Sequence, residues 1–316
     1  MALVGGNRRV YCCRPFLAKE SGPLVMKLLA TALALLVDGI AYSMILFLMS
    51  VGLTITLGVM RIANLAHCGF AMVGGYIGFA FVSRAGFDVL SGLAAAAAAT
   101  MALGAALERT VFRWVYAVGE LGQILMTIGL TFVMIASANL AFGSALHAMP
   151  LPRSLTQNMQ LGAISISAYR LFIIAVSTVI AGVLWAILEY TDYGARLRAS
   201  VDNPRMARCV GIDVPRIFTG TFSVGCGLAG VAGFLGSPIL PLEPYYALEY
   251  LVPILMIVAV GGHGSLKGSF YAALLLGIVD TFGRYYVPAL GAFTIYIVVV
   301  ALLLWRPNGV FVRSAA

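Results

Sequence analysis

Charge is what this sequence has least of. Only 10% of its 316 residues are Asp, Glu, Lys or Arg, while 61% are hydrophobic and mean hydropathy is +0.99. Soluble domains carry roughly 25% charged residues. A chain this poor in charge lacks the polar surface to face water, which excludes a soluble globular protein. Cysteine is equally uninformative as a framework. Cys12, Cys13, Cys68, Cys209 and Cys226 show no C-x-x-C spacing, so neither a disulfide scaffold nor a zinc site is implied. His67, His147 and His263 have no Ser, Cys or carboxylate at a spacing that assembles a triad or a metal set. No catalytic residue, metal ligand or bound cofactor is expected.

Two glycine-rich stretches imitate nucleotide motifs and fail on context. "GCGLAG", Gly225 to Gly230, formally matches G-x-G-x-x-G, but it lies inside an apolar helical run with no preceding strand. "GGHGSLKGS", residues 261–269, reads K-G-S where a phosphate loop requires G-K-[ST]. The formal charge of +8 is read as loop charge in a membrane protein rather than as a nucleic-acid surface.

What the chain does have is apolar runs of membrane-crossing length, roughly 17–25 residues. The expected spans are 28–60, 64–82, 89–107, 121–143, 169–190, 217–239, 248–262, 268–286 and 290–305. The fold class read from them is all-α, a polytopic membrane helical bundle of about eight to ten crossings. The first span is too long for one straight crossing and is interrupted by Asp38-Gly39. It reads as one tilted or re-entrant helix, or as two short ones. Small residues in "GGYIGFA", "AAAAAATMALGAA" and "GCGLAGVAGFLG" predict close helix packing.

Basic residues orient the spans. Five arginines in 191–216, two in 108–114 and two in the C-terminal tail mark one side as cytoplasmic. His263 and Lys267 fall on the same side, and the C-terminus is expected to be cytoplasmic. Nine crossings put the N-terminus outside; ten put it inside. Residues 1–25 read as an extension outside the fold, with Met26 as the start and 26–316 as one transmembrane domain.

The stretch "TDYGARLRASVDNPRMARCVGIDVPR" holds a quarter of the twenty Lys and Arg. Asn203 is a good N-cap, Pro204 suits the first helical position, and Gly211 supplies a left-handed stop. The two-turn helix between them places Met206, Cys209 and Val210 on one face and Arg205 and Arg208 on another. So short a helix is unstable alone in water. Either lipid headgroups or a groove on a cytoplasmic partner takes its apolar face.

With these residues in view, the chain resembles the ABC-transporter permeases of the branched-chain amino acid, LivH-like family. The resemblance is carried by "TDYGARLRASVDNPRMARCVGIDVPRIFTGTFSVGCGLAGVAGFLGSP", by "GLTITLGVMRIANLAHCGFAMVGGYIG", and by "VGGHGSLKGSFYAALLLGIVDT" with "RPNGVF". It covers about residues 35–312. It implies an importer built from two permease subunits, as homo- or heterodimer, two cytoplasmic ATPase subunits that use ATP, and an extracytoplasmic solute-binding protein. It places the chain in a bacterial inner membrane, in contact with lipid, with no nucleic-acid partner. It also implies that Asn203, Pro204, Arg205, Met206, Ala207, Arg208, Cys209, Val210 and Gly211 form the coupling helix seated in an ATPase cleft. Cys68, His263, Lys267 and "LEPYYALEYLVPILM" depart from the family pattern.

Polar groups inside a bilayer are costly, so Asp38, Asn64, His67, Asn139 and Asp280 are weighed as pathway residues. Asn64, His67 and Asp280 are the candidates retained. Each has a structural alternative: Asn64 as a cap, His67 at the interface, and Asp280 as a helix-end partner of Arg284. The cargo expected is a branched-chain or other hydrophobic amino acid. Urea, short amides or another small solute is the alternative, followed by a stand-alone secondary transporter.

Overall fold

A computed structural model describes residues 24–60, 64–115, 119–161, 164–262, 264–306 and 309. Apolar runs become helices because a bilayer offers no partner for an open backbone N–H or C=O. In chain order they are α1 (Leu24–Met60), α2 (His67–Ser83) and α3 (Val89–Leu107), which continues in π geometry through Glu108–Phe112 into a last turn, α4 (Arg113–Val115). Next come α5 (Glu120–Phe142), the single turn α6 (Arg153–Thr156), and a hairpin of β1 (Asn158–Leu161) and β2 (Ile164–Ser167) paired antiparallel with Asn158 opposite Ser167. The chain continues through α7 (Ala168–Tyr190), α8 (Asp192–Asp202), α9 (Pro204–Cys209) and α10 (Val214–Gly236). It closes with α11 (Tyr246–Glu249), α12 (Leu251–Gly261), α13 (Leu266–Tyr286) and α14 (Gly291–Trp305).

Each of the nine expected spans is a helix. Six are long and apolar enough to cross a membrane, and His67–Ser83, Tyr246–Gly261 and Phe293–Trp305 are shorter apolar helices. The architecture is an all-α polytopic bundle. One alternative is removed: α1 runs unbroken for 37 residues, about 55 Å at 1.5 Å per residue, and Asp38-Gly39 does not interrupt it. A glycine in mid-helix costs only about 1 kcal/mol, and Gly39 packs directly on Ile278 of α13. Residues 1–23 of the expected 1–25 extension, His263 and most of the C-terminal tail lie outside the described residues, and Leu24 and Val25 belong to α1.

α1 and α10 are the centre. Within their spanning windows 56% and 67% of residues are buried, against 17% for α7. α1 packs on α13 and α10, and α10 packs on α2 and α3. Glycine makes this possible at the crossings. A Cβ on Gly74 of α2 would lie 2.2 Å from the Gly230 Cα of α10, and one on Gly52 of α1 would lie 2.6 Å from the Gly225 carbonyl oxygen. Buried hydroxyls bridge helices: Thr54 of α1 and Ser269 of α13 share a hydrogen bond at 2.7 Å, and Tyr169 donates to the Leu235 carbonyl at 2.7 Å. Outward side chains such as Leu140, Leu304 and Val179 are exposed, as surfaces against hydrocarbon should be.

Candidate functional site

The helices gather two chemically different ends. At one end lie the C-terminal ends of α1, α3 and α7, the helices α8 and α9, the start of α10 and the turn before α13. α14 turns back along α13, with Thr294 against Gly283, so Trp305 returns toward this same end. Arg109, Arg113, Arg196, Arg198, Arg205, Arg208, Arg216 and Lys267 all lie here.

α9 has the boundaries that its residues predict. The Asn203 side-chain oxygen accepts the Met206 amide at 3.1 Å, and Pro204 fills the first turn. At the far end the Ile212 amide donates to the Ala207 carbonyl at 3.0 Å and the Gly211 amide to the Arg208 carbonyl at 3.0 Å. That is the paired closure of a left-handed stop, and Gly211 has φ +85°. Ala207 is buried on the bundle and anchors the helix. Met206 and Val210 remain 61% and 79% exposed, and Cys209 is exposed beside them.

α8 is the element that sequence reasoning missed. Gly194, Leu197 and Ser200 are its buried face, and a three-residue spacing through a charged stretch was the available signal. It fixes α9 to the membrane helices. The Arg198 guanidinium donates to the Leu188 carbonyl at the end of α7, where cations and helix ends attract. Tyr193 shares a hydrogen bond with Thr221 of α10 at 2.8 Å. Asp213 then caps α10, accepting the Arg216 amide at 3.2 Å. Two cavities flank this platform. One of about 600 Å³ lies between Glu108–Arg113 and Pro204–Thr219, where Thr219 donates to the buried Glu108 carboxylate at 2.5 Å. The other, about 360 Å³, lies between α7, α8 and residues 264–267, with the Lys267 ammonium over the Trp185 ring at 5.5 Å.

The pathway candidates do not converge. Asn64 and His67 are buried deep in the bundle. The Asn64 side-chain oxygen accepts the Ala66 amide at 3.1 Å, shaping the turn into α2 one step before its first residue. His67 is not interfacial: its ring packs on Gly52, and neither ring nitrogen has a hydrogen-bond partner among the described residues. Asp280 sits elsewhere, toward the opposite end, in a cavity with Tyr42. Tyr42 and Gly52 are about 15 Å apart along α1 at 1.5 Å per residue. Asp280 does pair with Arg284, at 2.9 Å, as the four-residue spacing allows. Asn139 lies on α5, outside that cavity.

Residues 35–305 match the family described as "Branched-chain amino acid transport system / permease component". The chain belongs to this family. It is a LivH-like ABC permease, a transport component and not an enzyme, and a multi-pass inner-membrane protein. Among curated relatives it is 27% identical over 295 residues to the high-affinity branched-chain amino acid transport system permease protein BraD of Pseudomonas aeruginosa, covering 88% of this chain and 95% of that one. It is 25% identical over 291 residues to the permease protein LivH of Escherichia coli, covering 87% and 94%. Among solved structures, PsaBC from Streptococcus pneumoniae in complex with Fab aligns with a TM-score of 0.49 at 12% identity, over 85% of this chain and 89% of that one. Family membership gives α9 its context: the family works in multi-subunit transporters, and α9 is a capped, outward-facing helix at the basic end.

Proposed function

We propose that the chain is the permease subunit of an ATP-driven importer for branched-chain or other hydrophobic amino acids, and that α9 is its contact with a cytoplasmic ATPase. The observation carrying this reading is the exposed Met206, Cys209 and Val210 surface on a six-residue helix capped at both ends. A helix this short needs its position fixed by its surroundings. Ala207 and the caps hold one side, and a partner groove takes the other. The basic end faces the cytoplasm on the positive-inside rule, which puts α9 where an ATPase can reach it.

The connections of α8 and α10 suit α9 to transmit motion. A displacement of α9 pulls on α8, which is tied to α10 through Tyr193 and to α7 through Arg198. α10 in turn packs on α1, α2 and α3, so a tilt at one end is carried through the central helices as a rigid-body shift. The remaining subunits, a second permease and an extracytoplasmic solute-binding protein, follow from the same reading.

The test is Arg205→Glu combined with Met206→Asp. Both side chains are exposed, so insertion and thermal stability should match the unaltered chain, while co-purification of the ATPase subunits is lost. Full co-purification with the double variant would remove α9 from the interface.

A further inference from the structure

Four arginines from separate elements line one cavity at the basic end. Arg109 comes from the π turn, Arg113 from α4, Arg208 from α9 and Arg216 from the first turn of α10, around a space of about 600 Å³. That volume lies within the roughly 300–1,000 Å³ range of small-molecule sites. Val214 and Phe218 of α10 give the wall an apolar part.

The arginines are poorly compensated. Arg216 pairs through Nε with Asp213 at 2.9 Å, but Arg109, Arg113 and Arg208 have no ion-pair partner among the described residues. Glu108, the one carboxylate among the described lining residues, is buried and accepts from the Thr219 hydroxyl. Arg109 and Arg113 stand four residues apart, a spacing at which like charges on a helix repel. The charged cavity at the opposite end is built differently. There Asp38 pairs with Arg170 and Asp280 with Arg284, so each arginine carries its own carboxylate. Three guanidiniums on one wall without such partners form a receptor for an anion, and the planar fork of arginine suits a phosphate.

Position selects the anion. All three tryptophans of the chain, Trp114, Trp185 and Trp305, stand at this end, and Trp114 follows Arg113 directly with 75% of its surface exposed. Tryptophan gathers at the level of lipid headgroups. Along α3 from the cavity Met101, Ala102 and Ala106 are exposed, an apolar face for acyl chains. Met206, Cys209 and Val210 do not line the cavity, so it lies apart from the surface that α9 offers to a protein partner.

We infer that this cavity holds the phosphate headgroup of an anionic phospholipid. The phosphodiester oxygens accept from the guanidiniums of Arg109, Arg113 and Arg208, and the acyl chains follow the outward face of α3. Basic pockets between membrane helices bind anionic headgroups by this chemistry. A zwitterionic headgroup is disfavoured because its ammonium would join an excess of positive charge. A bound headgroup ties the end of α3 to α9 and α10. The inference goes beyond the ATPase contact and does not rest on it, since it needs a membrane surface at this end and no particular leaflet.

The experiment places the full chain, with Trp185→Phe and Trp305→Phe, in nanodiscs whose scaffold lacks tryptophan, so that Trp114 alone reports. Its fluorescence is followed as brominated phosphatidylglycerol or brominated phosphatidylcholine replaces a phosphatidylcholine background. The phosphatidylglycerol form should half-quench at a mole fraction about fivefold or more below the other, the scale of one basic residue's attraction to an anionic lipid. Arg109→Gln, Arg113→Gln and Arg208→Gln combined should bring the two curves together. If that triple variant fails to insert, each single variant should narrow the gap. Arg196→Gln with Arg205→Gln removes two exposed charges of the same end from outside the cavity and should keep the preference.

Equal quenching by the two lipids in the chain with all its arginines overturns the site. So does a preference that survives the cavity variants, or one lost equally in the Arg196 and Arg205 variant, which would show general surface attraction. Inorganic phosphate at millimolar concentration and matched ionic strength should leave the quench in place; its release would assign the arginines to a free anion and overturn the lipid. Added ATPase subunits should also leave it in place. Loss of the quench on their binding would give the cavity to the protein interface and overturn the lipid, while the ATPase contact itself would stand.

Discussion

Asn203 holds the Met206 amide with its side-chain oxygen at 3.1 Å, and the side chain of Met206 is left 61% exposed at the basic end of the bundle. A cap is thus used to fix an apolar group in a position where the described residues leave most of it uncovered. Asn203→Ala should cost about 1 kcal/mol of local helix stability. The melting temperature of the isolated chain should barely move, because α9 lies outside the central packing. Affinity for the ATPase, measured by titration in detergent, should fall roughly fivefold, the factor for 1 kcal/mol.

Gly211, at φ +85°, is the other boundary of the same helix. Gly211→Val forces a β-branched residue into the left-handed region, where it is strained by about 1–2 kcal/mol. The expected result is the same pattern as Asn203→Ala, normal insertion with weakened association, and Gly211→Asn should recover most of the loss because Asn tolerates that region.

The central crossing gives the opposite signature. A side chain at Gly74 runs into the main chain of Gly230, whereas nothing lies within 4 Å of a Cβ at Gly129 or Gly182. Gly74→Leu should destabilise the bundle by about 1–3 kcal/mol or prevent its assembly. Gly129→Ala should be neutral or stabilising by up to about 1 kcal/mol. Thermal unfolding in detergent checks both.

The Thr54–Ser269 hydrogen bond ties α1 to α13 in the buried interior. Thr54→Val and Ser269→Ala should each lower stability by about 0.6 kcal/mol, and by no more than about 1.7. The double variant should cost less than the sum, and a double-mutant cycle measures the shared part.

Much of this was legible in the residues. The nine apolar runs became nine helices because a bilayer leaves the backbone no other choice, and Asn203, Pro204 and Gly211 marked α9 because capping is local chemistry. What was not legible depends on distance or on weak local signals. α8 carries its buried face as Gly194, Leu197 and Ser200, small or single groups set among charges that dominate the pattern. The β1–β2 hairpin is only four residues a side, too short for alternation to announce it. Asp38 and Arg170 lie 132 residues apart, and no spacing rule joins them. His67 was weighed as a pathway residue, with a place at the interface where a span begins as the alternative. It is buried because glycine at position 52 leaves room for its ring against α1.

The most direct measurement uses a native side chain. Among the described cysteines Cys209 is exposed on α9, while Cys68 and Cys226 are fully buried. With Cys12 and Cys13 replaced by Ser, a maleimide–polyethylene glycol gel shift should report Cys209 alone. An ATPase contact at α9 entails rapid modification of the free chain and strong protection once the ATPase subunits are bound. Equal labelling of Cys209 in the free chain and in the assembled transporter would contradict it.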